Sequence, residues 1–185
     1  MKRLPFTLLV AAVAALSLAQ APKTANTLVE SAITVAKQTN RVPFVRFTAS
    51  WCGWCHRMEG VLTSKAVKPI WDKYFVTQPI VVLENGDKEK LENPGGEELM
   101  ATQGGKDQGI PYFYFVDPKT GKTIATSLRP ASGSDKGGNV GCPYEPAEIE
   151  FFMGLISKAA PKMTASEKNT IRSAFAELKK ADKKG

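Results

Sequence analysis

Two cysteines stand two residues apart in Ser50-Trp51-Cys52-Gly53-Trp54-Cys55-His56, and their spacing is the strongest chemical signal in the chain. A C-x-x-C pair beside a βα pattern is a redox motif: the first sulfur attacks a disulfide, and the second resolves the mixed disulfide that results. Upstream, Pro43-Phe44-Val45-Arg46-Phe47-Thr48 is an apolar, β-rich run of strand length. Downstream, His56 to Leu62 carries apolar residues at helical spacing. Cys52 is therefore expected at a helix N-terminus. Free backbone N–H groups and the positive end of the helix dipole favour a thiolate there, and can lower a cysteine pKa from about 8.5 to roughly 3.5–7.5.

The same residues admit other chemistry. Cys52 to His56 spells C-x-x-C-H, an attachment signature for c-type haem with His56 as axial ligand. Zinc needs four ligands, and Cys52, Cys55, His56 and Cys142 supply them on paper, although adjacent Cys55 and His56 rarely both face one tetrahedral ion. A purely structural disulfide is a weak account, because so small a loop constrains the unfolded chain little. The redox reading requires no metal and no cofactor.

A second, distant element belongs with the pair. Gly109-Ile110-Pro111-Tyr112-Phe113-Tyr114-Phe115-Val116-Asp117 places a proline at the start of a strong strand pattern, one of the few positions a strand tolerates it. Trp51-Cys52-Gly53-Trp54-Cys55 together with Ile110-Pro111 resembles the thioredoxin family, and most closely its exported thiol:disulfide interchange members, among them the C-terminal domain of the membrane thiol–disulfide conductor DsbD. The resemblance implies a Cys52–Cys55 redox disulfide, a cis bond before Pro111, and residues Ile110 and Pro111 facing the sulfurs and holding a partner's backbone. It also implies that Glu59 matches a glutamate near the active site of that domain. Trp51, Gly53, Trp54, His56 and Glu59 are supporting residues on this reading. Glu59 and His56 are candidates to move the Cys55 proton, or else form a surface charge pair on the helix.

The sequence departs from the family in three places. The buried acid on the strand before the cysteines is Arg46 here, the proline between them is Trp54, and a lysine common after the second cysteine is His56. A cation at Arg46, or a protonated His56, would stabilise the Cys52 thiolate and make the disulfide more oxidising. A strand-face arginine in water is the alternative.

At 185 residues and 43% hydrophobic, the chain can build one domain with a real core. Residues 1–21 read as a secretory signal: Lys2 and Arg3 are the charged region, Leu8 to Leu18 the apolar region, and Ala19-Gln20-Ala21 the cleavage site. The expected product is exported, periplasmic or otherwise extracytoplasmic, soluble after cleavage near Pro22, and tied to a membrane only through the uncleaved signal. The formal net charge of +7 includes Lys2 and Arg3, and much of the rest lies in Lys179-Lys180-Ala181-Asp182-Lys183-Lys184. No aromatic residue is interleaved there to stack bases, so nucleic acid is not an expected partner. Expected partners are protein disulfides or dithiols, with a membrane thiol–disulfide conductor as one candidate. Cys142 is left over in the Gly/Pro-rich stretch 137–144, to be packed as a small apolar residue, to act as a third redox thiol, or to form an intermolecular disulfide.

The remaining chain supplies scaffolding. Thr27-Leu28-Val29-Glu30 is a capping-box pattern opening a helix through about Lys37, with Leu28, Ala32, Val35 and Ala36 on one face. Ser64 to Tyr74 continues helically around Pro69, and Phe75 to Leu83 reads as a strand on which Pro79 argues for an edge or an interruption. Residues 86–109 form a loop with one helical piece near Glu97 to Thr102. Tyr112–Val116 and Lys122–Ser127 make a hairpin around Asp117-Pro118-Lys119-Thr120-Gly121. A Gly/Ser-rich insertion, 130–141, precedes a helix over Glu145 to Lys158. A second capping box, Thr164-Ala165-Ser166-Glu167, starts a last helix expected on the outside. The order is that of an α/β fold, a thioredoxin-like three-layer sandwich with a central mixed sheet flanked by helices and an extra C-terminal helix. The expected division is 1–21 signal, 22–163 thioredoxin-like domain, and 164–185 C-terminal helix and basic tail.

Overall fold

The structure is a computed structural model describing residues 21–132 and 136–182. The expected signal segment lies outside the described residues, apart from Ala21. Its elements are α1 (Ala25–Thr39), β1 (Val42–Thr48), α2 (Gly53–Leu62), α3 (Lys68–Tyr74), β2 (Phe75–Val81), a 3-10 turn at Gly86–Leu91, α4 (Gly96–Met100), β3 (Tyr112–Val116), β4 (Thr123–Thr126), β5 (Leu128–Arg129), β6 (Gly138–Asn139), α5 (Pro146–Ala159) and α6 (Ala165–Asp182).

β1 to β4 form a mixed sheet in the order β2-β1-β3-β4. β1 and β2 are parallel, so α2 and α3 carry the chain across, while β3 is antiparallel to both β1 and β4. Prolines obey this layout. Pro79 lies on the edge strand, and Pro43 sits one residue before the stretch of β1 that pairs with β3.

Alternation along β1 divides the core. Phe44 faces the side covered by α2, α3, α5 and α6, while Val45 and Phe47 face the side covered by α1 and α4. Aromatic rings fill the first side: Phe44 meets Trp71 edge-on at 5.0 Å, and Phe152 meets Phe113 and Phe175 at 5.5 and 5.2 Å. The expected C-terminal helix is present and docks on this core through Ile171 and Phe175, which are fully buried. Its predicted capping box forms: the Glu167 N–H donates to Thr164 Oγ1 (3.2 Å) and the Glu167 carboxylate accepts from the Thr164 N–H (2.9 Å).

Five sequence expectations change. α1 is capped by Thr24, whose Oγ1 accepts the Thr27 N–H, so the helix begins before the predicted box and draws Ala25 into the core with an N–H bond to the Pro94 carbonyl. Val35 is 40% exposed, because the buried stripe runs through Ala25, Ala32 and Ala36 instead. β2 ends at Val81, and the Glu97–Thr102 helix is Gly96–Met100 continued as a wider turn to Gly105. Residues 130–141 are not all loop, since Gly138 and Asn139 pair antiparallel with Arg129 and Leu128.

Candidate functional site

β1 ends at Thr48 and α2 starts at Gly53, so the cysteine pair occupies the junction between the sheet's carboxyl edge and a helix N-terminus. Cys52 is the N-cap. Its Sγ accepts the Cys55 N–H at 3.1 Å, the place a serine or aspartate oxygen would take in an ordinary cap. Cys52 and Cys55 are joined as a disulfide with Cα atoms 5.2 Å apart, and they are 3% and 0% exposed. Ile110 packs against the cluster of Ala49, Cys52 and Cys55, and its carbonyl oxygen lies 3.5 Å from Cys52 Sγ. The Ile110–Pro111 bond is cis. Residues 58 positions apart in sequence thus meet at one sulfur.

Two large aromatics flank the pair and stay open to solvent, Trp51 at 54% and Trp54 at 45%. The Trp51 indole N–H donates to the Leu83 carbonyl at 2.5 Å, which pins the ring beside the end of β2. Trp54 meets Tyr144 edge-on at 5.3 Å, with the Arg57 guanidinium 4.9 Å over its ring. A Cβ at Gly53 would touch nothing within 4 Å, so packing does not demand that glycine. His56 is exposed, and its Nε2 sits 2.8 Å from the Ser50 carbonyl. A cleft of about 400 Å³ opens beside the pair between Trp54, Ile110, Pro111, Asn139 and Tyr144.

Arg46 is not a strand-face charge in water. It is 3% exposed, donates from Nη1 to the Cys55 carbonyl at 2.8 Å, and lies 3.4 Å through Nη2 from the Glu59 carboxylate. The cation therefore sits under the first turn of α2, one peptide unit from a reactive sulfur. Glu59 is half-exposed, and its carboxylate faces this arginine. Cys142 is a buried member of the core cluster at the edge of this cleft, and burial pushes its thiol up to about 12. Cys142 and His56 do not converge with the pair: among the described residues no group of three or more His, Cys, Asp and Glu side chains could hold a metal ion.

Two residues escaped the sequence reading. Glu84 is 7% exposed, and its carboxylate takes both the N–H and the hydroxyl of Ser50 at 2.7 Å, fixing the turn that leads into the cysteines. Its only sequence signal was position, an acid just past the carboxyl end of a strand, where α/β sheets build their sites. Asn139 is the other. It stood out only as the one polar side chain in Gly137-Gly138-Asn139-Val140-Gly141.

A redox-capable thiol pair, capping a helix at the carboxyl edge of a mixed sheet and faced by a proline loop, defines a thiol:disulfide oxidoreductase of the C-x-x-C class. A family model described as thioredoxin-like matches residues 24–118, and the chain belongs to that family. Among solved structures it is similar to a disulphide isomerase from Xylella fastidiosa Temecula1, at 23% identity and TM-score 0.48 over 83% of this chain and 90% of that one. It is also similar to the oxidised C-terminal domain of Neisseria meningitidis DsbD (18%, TM-score 0.44, 73% and 99% covered) and to a thioredoxin from Thermus thermophilus (18%, TM-score 0.44, 77% and 94% covered). None of these likenesses assigns a client or a direction to this chain. No curated protein matches the sequence.

Proposed function

We propose that the protein is an exported oxidoreductase that exchanges disulfides with protein partners, with Cys52 as the attacking sulfur and Cys55 as the resolving one. The observation that carries this is the position of Cys52 Sγ, which accepts an amide hydrogen at the start of α2 while facing the Ile110 carbonyl. In the reducing direction the Cys52 thiolate attacks a partner disulfide, a Cys52–partner S–S bond forms, and the leaving partner sulfur takes a proton. Cys55 then loses its proton and attacks Cys52, closing the disulfide and releasing the second partner thiol. Two electrons and two protons pass to the partner. The reverse sequence oxidises a dithiol.

Protein partners, rather than small thiols alone, are supported by the exposed Trp51 and Trp54, each preceding a cysteine in the chain. Trp51, Trp54, Ile110 and Pro111 form the partner-facing surface, Gly53 brings backbone without bulk, and Glu59 and His56 set local charge. Export rests on the signal pattern of residues 1–21, and a membrane thiol–disulfide conductor fits as the electron source of such a protein. The test is equilibration of the mature protein with glutathione, reading the oxidised fraction of the Cys52–Cys55 pair. A potential near about −270 mV marks a reductant and one near about −120 mV an oxidant. Failure of the pair to exchange with glutathione at any ratio would reject the reading. N-terminal sequencing of the expressed protein tests export, with Pro22 as the expected first residue.

A further inference from the structure

We infer that Asn139 is a positioning residue for exchange with protein partners: its side-chain amide clamps the carbonyls on both sides of Ile110 and so sets where that residue stands against Cys52. This rests on the exchange reading above. Asn139 Nδ2 donates to the Gly109 carbonyl at 2.5 Å and to the Pro111 carbonyl at 3.1 Å. Its Oδ1 accepts the Gly141 N–H at 3.0 Å, and its own N–H donates to Gln108 Oε1 at 3.2 Å. One side chain therefore spends both amide hydrogens on the loop and its oxygen on holding itself in place. The residue between the two clamped carbonyls is the one whose own carbonyl lies 3.5 Å from Cys52 Sγ.

The clamp is anchored in the sheet. Ser127, fully buried, donates its N–H to the Phe113 carbonyl and accepts the Phe113 N–H on Oγ, and its carbonyl accepts the Val140 N–H at 3.0 Å. Asn139 is thus tied through its neighbour to β3, the strand that the proline loop enters. Close approach is built in: a Cβ at Gly141, which has φ of +61°, would stand 3.3 Å from the Pro111 carbonyl oxygen. A primary amide is suited to this post, because it alone among the short polar side chains offers two donors and one acceptor. Without it the 109–111 backbone must be ordered when the partner binds, and that cost falls on binding of an extended chain and not on the sulfurs.

The experiment measures the full mature protein with two reactants. Insulin reports exchange with a protein disulfide, giving KM and kcat. Dithiothreitol, which needs no backbone docking, reports the intrinsic rate of Cys52–Cys55 reduction. Asn139→Ala is expected to raise KM for insulin roughly tenfold while kcat and the dithiothreitol rate stay within about twofold of wild type. Asn139→Asp, which turns an oxygen toward each carbonyl, is expected to do worse in KM with the same split. An unchanged KM, or a parallel fall of the insulin and dithiothreitol rates, overturns the inference. If Asn139→Ala does not fold, Asn139→Ser, which keeps one donor, decides by the same split. If neither folds, Asn139 supports the domain as a whole and the inference falls. Wild-type protein that exchanges with neither reactant brings down the exchange reading itself, a result obtained without any variant.

Discussion

α2 and α6 face the same problem at their N-termini and solve it with different chemistry. Each leaves backbone N–H groups without intrahelical partners. At α6, Thr164 and Glu167 close a reciprocal box, reinforced by Lys73 and Tyr74 on the Glu167 carboxylate at 2.8 Å each. These contacts, led by Lys73, hold the Glu167 carboxyl down at about 2. At α2 the cap is a sulfur, which accepts the Cys55 N–H, and a buried cation, Arg46, donates to the Cys55 carbonyl. The same field that favours a carboxylate at one helix favours a thiolate at the other. A box of fully paired oxygens is inert. A cap made by a sulfur, next in the chain to the exposed Trp51, can react.

The largest expected effect comes from exchanging the caps. Cys52→Ser puts an ordinary N-cap residue on α2, so exchange activity should vanish while thermal stability of the reduced protein holds or rises. Cys55→Ser should instead accumulate mixed disulfides with the protein substrate, visible on non-reducing gels. Insulin reduction by Cys52→Ser at the wild-type rate would end the comparison.

Next is the buried cation. Arg46→Met removes the charge beside the Cys55 carbonyl and should destabilise the Cys52 thiolate, which makes the potential more negative. The sign follows because a less stable thiolate means a less stable reduced form. Glutathione equilibration reads the potential, and a shift toward more oxidising values would show that Arg46 does not act on the thiolate.

At the inert cap the effect is on stability and runs with acid. Folding lowers the Glu167 pKa from 4.5 to about 2, so its stabilisation is present above 4.5 and is lost as pH falls toward 2. Glu167→Gln should therefore melt a few degrees below wild type at pH 7, with the difference shrinking between pH 4.5 and 2. Redox potential should not change. A constant difference across that range would show that charge plays no part in this cap.

The smallest effect is expected at the third sulfur, which is buried and caps no helix. Cys142→Ala should keep activity within about twofold and cost roughly 1 kcal/mol of stability. Native Cys142 should resist alkylation at pH 8, because its thiol is held near 12. Rapid labelling in the folded state would place it with the reactive pair.

Local order was legible in the sequence because local order is written in short-range pattern. The C-x-x-C spacing between a strand pattern and a helix pattern placed Cys52 at the N-terminus of α2. Thr164 to Glu167 announced α6, and the Asp117–Gly121 turn announced the β3–β4 hairpin. Each of these depends on residues within about five positions of one another. What tertiary structure decided is which distant groups meet. Arg46 could have faced water, but parallel pairing of β1 with β2 and the packing of α2 across the sheet put it under Cys55, where burial without a partner would be costly and the Cys55 carbonyl and Glu59 engage its two terminal nitrogens. Glu84 reaches Ser50 across 34 residues, and Asn139 reaches Gly109 across 30. No periodicity encodes such pairs, because they exist only once the sheet has brought its carboxyl edge, its proline loop and the 137–141 segment to the same two sulfurs.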